Sequence, residues 1–323
     1  MLVLGLQGSP RKNGNSAYLL STVLAEAEKK GADTKQLFVP GLDIAPCLGC
    51  GFCEKKGYCV NMDDDMARTV FPLLRRADIV ILASPVYFYN FTAQAKLLID
   101  RTQALWSRKY RLKLDDPGRS LRKGLLLSMG ATKGRNLFDG MELTAKYFFD
   151  AIGAVHSGTL GYRRIESLGD MEKHSGHLSD IGRLIDGMAL FFSRKKILFA
   201  CRENACRSQI AAAFARIYAG DRIDVISAGS EPAESINPLM VEAMAEKGID
   251  MAFLKPSFLD SVIKKTRPDI IVTMGCGEQC PYIPGVRRID WDLPDPAGRS
   301  IDFMRDVRDR IERNVLDLIE EVG

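Results

Sequence analysis

Cys201, Arg207 and Ser208 stand in the stretch CRENACRSQ (201–209), between an apolar run, KILFA (196–200), and an alanine-rich one, IAAAFARIYA. A turn of this length between a strand and a helix can curl so that the N–H groups of Arg202, Glu203, Asn204, Ala205 and Cys206 face inward. With the positive end of a helix behind them, they form a nest for a tetrahedral oxyanion. At its floor Cys201 would be held as a thiolate, with Ser208 donating to the sulfur and Arg207 offering a planar fork to two oxyanion oxygens. Asn204 would brace the loop by hydrogen-bonding its backbone. The competing reading is a buried structural cysteine beside a surface arginine. Two late loops add to the chemistry: DLPDPAG places Asp295 where a general acid could protonate a departing oxygen, and MGCGEQCP supplies Cys276 and Cys280. A phosphatase needs only nucleophile, arginine and acid, whereas a reductase needs further thiols to take up oxidising equivalents.

The first half carries different chemistry. GSPRKNGNS (8–16) follows the first apolar run, with Gly8 for a tight turn and Ser9, Arg11, Asn15 and Ser16 to meet a phosphate at a helix start. It has neither the dinucleotide GxGxxG nor the Gly-Lys-Ser/Thr of a triphosphate loop, so a monophosphate fits better; an ordinary capped turn is the alternative. Further on, Ser84, Pro85, Val86, Tyr87 and Phe88 lie at the end of a central apolar run, where open parallel sheets bind ligands. They could wrap a flat conjugated ring, or Tyr87, Phe88 and Tyr89 could be plain core or interface. Between these segments Cys47, Cys50, Cys53 and Cys59 form Cys-x2-Cys-x2-Cys-x5-Cys. Four thiolates so closely spaced suit a [4Fe–4S] cluster, with zinc and a metal-free redox loop as competitors.

The elements that must position these residues follow from apolar periodicity. Strands are predicted at 2–6, 34–39, 78–83 and 124–129, alternating with helical patterns, and a second series at 196–200, 223–227 and 269–273, with helices near 207–219, 237–247 and 301–321. Such alternation predicts an α/β chain of two doubly wound parallel sheets, with domains at 1–192 and 193–323 and an amphipathic segment at 171–192 closing the first. His174 and His177 on that segment read as a solvated helix face. The chain has 323 residues, 45 Lys and Arg against 41 Asp and Glu, and a formal net charge of +4. Both signs are interspersed, which argues against nucleic acid or a membrane surface as partner. Apolar runs of strand length only and an N-terminus unlike a secretion signal point to a cytoplasmic protein whose eight cysteines are reduced and chemically employed.

GSPRKNGNS and SPVY resemble the flavodoxin-like NAD(P)H-dependent FMN reductases over roughly residues 1–190, and the cysteine motif ahead of VNMDDD (60–65) is similar to that of the iron–sulfur flavoproteins of the same family. The resemblance implies FMN, its phosphate on Ser9, Arg11, Asn15 and Ser16 and its ring on Ser84–Phe88, and a [4Fe–4S] cluster on Cys47, Cys50, Cys53 and Cys59. NAD(P)H or ferredoxin is the expected electron donor, and because flavodoxin-like reductases commonly pair, a homodimer is expected. Residues 196–323 resemble the thioredoxin-coupled arsenate reductases of the low-molecular-weight tyrosine phosphatase fold, through ILFACRENACRSQIAAAFAR, ISAGSEP, DIIVTMGCGEQCPYIPG and DWDLPDPAGRS. That resemblance implies attack of Cys201 on arsenate, loss of water assisted by Asp295, attack of Cys276 on Cys201 with release of arsenite, and a final Cys276–Cys280 bridge. Arg202 and Glu203 depart from the small residue and glycine of many relatives; Cys206 reads as structural. The fusion suggests that the first half feeds electrons to the second, in place of or beside thioredoxin. The alternatives are a phosphatase fused to a flavin redox sensor, and a redox module whose cradle is vestigial.

Overall fold

The structure, a computed structural model, describes residues 1–274 and 283–322. The chain divides into two compact units, Met1–Lys113 with Arg119–Phe192, and Leu114–Gly118 with Ser193–Gly323. Five residues of the first 192 thus join the second unit, where Asp115 bridges Ile249 in parallel.

The first unit is a five-stranded sheet of β1 (Leu2–Gln7), β2 (Asp33–Phe38), β3 (Ile79–Pro85), β4 (Lys123–Gly130) and β5 (Val155–Arg163), in the order β2-β1-β3-β4-β5. Every pairing is parallel. The central strands read as unbroken apolar runs because helices cover both faces: all of β1 is buried, and Leu19, Leu20, Val23 and Leu24 of the Asn15–Lys29 helix pack on one side. Strand order reverses between β1 and β3, where Gln7 lies beside Ala83, so the loops after both strands share the ligand-binding crevice of an open sheet.

The second unit repeats this plan with four parallel strands, β6 (Lys195–Cys201), β7 (Ile223–Gly229), β8 (Ile270–Met274) and β9 (Arg287–Asp290), ordered β7-β6-β8-β9. Cys201, the last residue of β6, sits between Gly229 and Met274 at the equivalent reversal. The Arg207–Ala219 helix buries Ile210, Ala211 and Phe214 against this sheet and the Ile301–Val322 helix, whose Met304, Val307, Ile311 and Val315 recur at helical spacing.

Two strands lie outside the sequence reading. β5 alternates exposed and half-buried residues around Ser157, Gly158 and Gly161, and β9 is Arg-Arg-Ile-Asp; both are edges and lack the apolar run of an interior strand. The segment expected as one amphipathic stretch, 171–192, is three helices, Asp170–Lys173, His177–Asp186 and Ala189–Phe192, with Gly176 in the left-handed region (φ 91°) at the first break. His177 is buried rather than solvated: its Nε2 lies 3.2 Å from the Tyr18 hydroxyl and its Nδ1 2.6 Å from the His174 carbonyl, because Tyr18 of the first helix packs over it. Among the described residues no helix is long and apolar enough to cross a membrane.

Candidate active site and cofactor loops

β6 carries Cys201 to the sheet edge and the Arg207–Ala219 helix starts six residues later, so the loop between them must turn tightly around the sulfur. The buried Asn204 is its pivot. With φ 49° it adopts the left-handed conformation, and its N–H donates to Cys201 Sγ at 3.2 Å. Ser208 Oγ lies 3.0 Å from the same sulfur and accepts from Asn204 Nδ2 at 2.8 Å. Asn204 Oδ1 accepts the Ser257 N–H at 2.8 Å, and Gln209 Nε2 donates to the Asn204 carbonyl at 3.1 Å. The amide is thus satisfied at both ends before any substrate binds, which holds the loop in one shape.

Arg207 is buried, with Nη1 donating to the Leu293 carbonyl at 3.3 Å and Nη2 3.4 Å from the exposed Asp295 carboxylate. Arginine and acid therefore stand together on the rim of the cradle. Cys206, half-buried, lies with its sulfur 3.3 Å from Met304 Sδ. Burial first, and then the neighbouring Cys201, push its thiol well above the ordinary range. Arg202 is drawn outward to Glu231 at 2.8 Å, and Glu203 is exposed, so what these two residues lend the cradle is backbone. Cys276 and Cys280 lie outside the described residues.

Three further residues shape this site: Gln209 and Gly229, which lie within CRENACRSQ and ISAGSEP but have no role assigned from sequence, and Ser257, which lies outside both. A Cβ on Gly229 would stand 2.6 Å from the Arg202 carbonyl oxygen and 2.8 Å from the Asn204 nitrogen, both backbone atoms of the cradle. Gly229→Ala is therefore expected to displace the loop, costing about 1–3 kcal/mol of second-unit stability and weakening oxyanion binding. A thermal melt together with phosphate titration checks it, and wild-type values for both would show that the loop yields freely.

In the first unit Gly8 presses the loop after β1 against Ala95, whose Cβ a Cβ on Gly8 would meet at 2.7 Å, and the Gly8 carbonyl accepts from Thr92 Oγ1 at 2.5 Å. Gln7, also unmarked by motif, shapes the turn: its Nε2 donates to the carbonyls of Arg11 (3.2 Å) and Lys12 (3.0 Å). Ser9 is buried and its hydroxyl accepts the Arg11 N–H at 3.2 Å, while the Arg11 side chain is exposed. Asn15 turns elsewhere, donating to the Ser167 carbonyl at 2.9 Å and accepting the Met171 N–H at 3.2 Å; Ser16 is buried, its hydroxyl 2.9 Å from Met129 sulfur. No side chain caps the Asn15–Lys29 helix, so its first N–H groups, with Ser9 and Arg11, form a donor set that fits a phosphate.

Beside this loop, Ser84 is buried and donates to the Pro85 carbonyl at 3.0 Å, and Val86 N–H reaches the Met129 carbonyl at 2.9 Å. Tyr87 and Asn90 close a tight turn that forces Phe88 and Tyr89 to φ 49° and 60°. All three aromatics are exposed, Phe88 completely, which removes the core reading of this segment. Exposed rings on a strained turn at the strand reversal fit a planar ligand such as a flavin ring.

The cysteine loop has Gly49, Gly51 and Gly57 in the left-handed region, and the short Phe52–Lys56 helix within it. Cys47 and Cys50 are exposed, Cys53 and Cys59 half-buried, and all are free thiols lining one cavity of about 400 Å3. Among the described residues no three His, Cys, Asp or Glu side chains converge closely enough to hold a metal ion. The donor set and the shared cavity fit a four-thiolate group, while the sulfurs still have to draw together around it.

Residues 1–157 match the NADPH-dependent FMN reductase family, and residues 196–323 match the low molecular weight phosphotyrosine protein phosphatase family. An iron–sulfur flavoprotein of Methanosarcina thermophila is 34% identical over 46% of this chain and 72% of its own length, and one of Archaeoglobus fulgidus is 44% identical over 31% of this chain and 45% of its own. Arsenate reductase 1 of Bacillus cereus is 39% identical over 37% of this chain and 90% of its own length. The chain thus spans most of the Methanosarcina and Bacillus proteins and under half of the Archaeoglobus one. With two parallel sheets, each carrying its candidate site loops at the strand reversal, the polypeptide belongs to both families at once: an iron–sulfur flavoprotein domain of the FMN reductase family followed by an arsenate reductase domain of the low molecular weight phosphatase family.

Proposed function

We propose that the chain reduces arsenate to arsenite at Cys201 and draws the electrons from its own first unit. The observation that carries the reading is Cys201 Sγ, fixed by the Asn204 N–H and Ser208 Oγ, with Arg207 and Asp295 paired at the rim. Arsenate enters as a tetrahedral oxyanion on the loop amides and the Arg207 fork. The Cys201 thiolate attacks arsenic, and Asp295 protonates the oxygen that leaves as water. Cys276 then attacks the Cys201 sulfur: the As–S bond breaks, its electron pair stays on arsenic, and arsenite departs. Cys280 attacks Cys276, which frees Cys201 and leaves a Cys276–Cys280 disulfide that a two-electron reductant must open.

The first unit is read as the reductase for that bridge. Ser9, Arg11 and the first amides of the Asn15–Lys29 helix would hold the phosphate of FMN, with Ser84–Phe88 against its ring, and Cys47, Cys50, Cys53 and Cys59 would ligate a [4Fe–4S] centre. Bound there, the two groups supply exchange between two-electron and one-electron donors. NAD(P)H or a ferredoxin is the external source, and joining the units in one chain places donor and acceptor at an effective concentration of about millimolar.

The experiment is arsenite formation by purified protein with NAD(P)H and arsenate but without thioredoxin. The expected result is sustained turnover, several arsenite per chain. Turnover that needs added thioredoxin would sink internal supply and leave the chemistry at Cys201 untouched.

A further inference from the structure

The cysteine loop lies between β2 and β3, and one side chain holds its two stems, at Ala45 and at Asn61. Arg101, the last residue of the Ala93–Arg101 helix, is buried; its Nη1 donates to the Ala45 carbonyl at 2.6 Å and its Nη2 to the Asn61 carbonyl at 2.7 Å. Its counterion is the buried Asp64, which both Nη atoms reach. Asp64 in turn accepts the N–H groups of Ala45 and Ala67, each at 3.2 Å, so Ala45 is gripped by carbonyl and amide together. Asp43 and Asp65 add an outer rung: the Asp65 N–H meets the Asp43 carbonyl at 2.8 Å, and the Asp43 N–H meets the Asp65 carboxylate at 2.9 Å. Four of the five guanidinium donors are engaged, and the fifth, Nε–H, is buried with no hydrogen-bond partner among the described residues. Arg101 also lines the cavity that the four cysteines line. A buried charged donor left over on a residue that lines this cavity is costly unless an acceptor arrives, and sulfur bound to metal is an acceptor whose hydrogen bonds tune the centre.

We propose that Arg101, seated on Asp64, is the positioning residue of the cysteine site, its fork fixing the stem of the loop and its remaining N–H serving the anionic sulfur that shares its cavity. The second role rests on the cluster assignment made above; the first does not. In the metal-free chain the pair holds the two stems of the loop, while Ser107 meets Cys53 Sγ at 3.5 Å and Arg108 Nη1 meets the Gly57 carbonyl at 3.2 Å within it. In the loaded chain it pre-pays part of the ordering that four converging thiolates require.

The test uses the full chain and the double variant R101Q/D64N, which removes both charges and strands neither. In metal-free protein, alkylation of Cys53 and Cys59 by iodoacetamide, read peptide by peptide, is expected to quicken about tenfold as the loop frays, with Cys201 unchanged as internal control. Rates within about twofold of wild type overturn the clasp whether or not metal binds. After reconstitution with ferrous iron and sulfide, the variant is expected to lose iron to a chelator at about 10–100-fold lower competitor concentration, with FMN retained as evidence of folding. An unchanged chelator midpoint overturns the positioning role. Because the deleted pair is neutral, a shift of the centre's reduction potential to more negative values reads the lost N–H donor, and an unshifted potential overturns that half of the proposal. If wild type takes up no iron and sulfide, the cluster assignment fails and the alkylation rates alone decide the clasp. Should the double variant not fold, R101K, which keeps the charge but cannot span both carbonyls, carries the alkylation and chelator expectations.

Discussion

Cys201→Ser is expected to lower arsenate turnover by a factor on the order of 10^4 or more while leaving oxyanion binding nearly intact. The replacement keeps the size of the side chain and the donors aimed at it, since the Asn204 N–H and Ser208 Oγ are placed by Asn204, Ser257 and Gln209 and not by the sulfur. What is lost is the soft, ionised nucleophile and, with it, any sulfur for a second thiol to attack. Rapid-quench arsenite assay measures the first effect and calorimetric phosphate titration the second. Turnover within about tenfold of wild type would remove Cys201 from the reaction, because loss of a nucleophile is never that mild.

Cys276→Ser carries the second large effect and separates the two chemistries that the cradle can perform. A reductase that has lost its second thiol captures arsenate on Cys201 and stops, so multiple turnover should vanish, a loss of about 10^3-fold or more. A phosphatase completes its cycle with water, so hydrolysis of an aryl phosphate by the same variant should stay within about threefold of wild type. Parallel assays on one preparation decide it. Arsenite production that survives the substitution would refute the relay; loss of both activities would mean that Cys276 is needed to build the cradle itself.

What the sequence could tell about this molecule followed from range. Interior strands such as β1, β3 and β6 are contiguous apolar runs, and their alternation with helical periodicity is enough to identify two parallel sheets. Edge strands β5 and β9 carry no such run, since one side of each faces water and Arg287 and Arg288 satisfy solvent as readily as a strand does. At the site, Cys201, Asn204, Arg207 and Ser208 are close in sequence and of types whose chemistry is plain. Gln209, Ser257 and Gly229 act on Asn204 and its neighbours through contacts that only the fold creates, as Gln7 does for the turn that follows β1. Asp64 and Arg101 are 37 positions apart, and nothing in either residue's local sequence betrays that they meet. Asn15 and Ser16 sit in the expected loop, with their side chains turned to Ser167, Met171 and Met129.

The left-handed Asn204, braced on three sides, makes the receptor rigid in advance of its guest. A mould that cannot flex judges an arrival by geometry and charge, and arsenate and phosphate are near twins in both. Selection between them then falls to what happens after capture: a phosphoryl adduct waits for water, whereas an arsenic adduct yields to a thiol because arsenic accepts an electron pair. Fidelity on this reading is a contest of rates, won by whichever adduct has an exit.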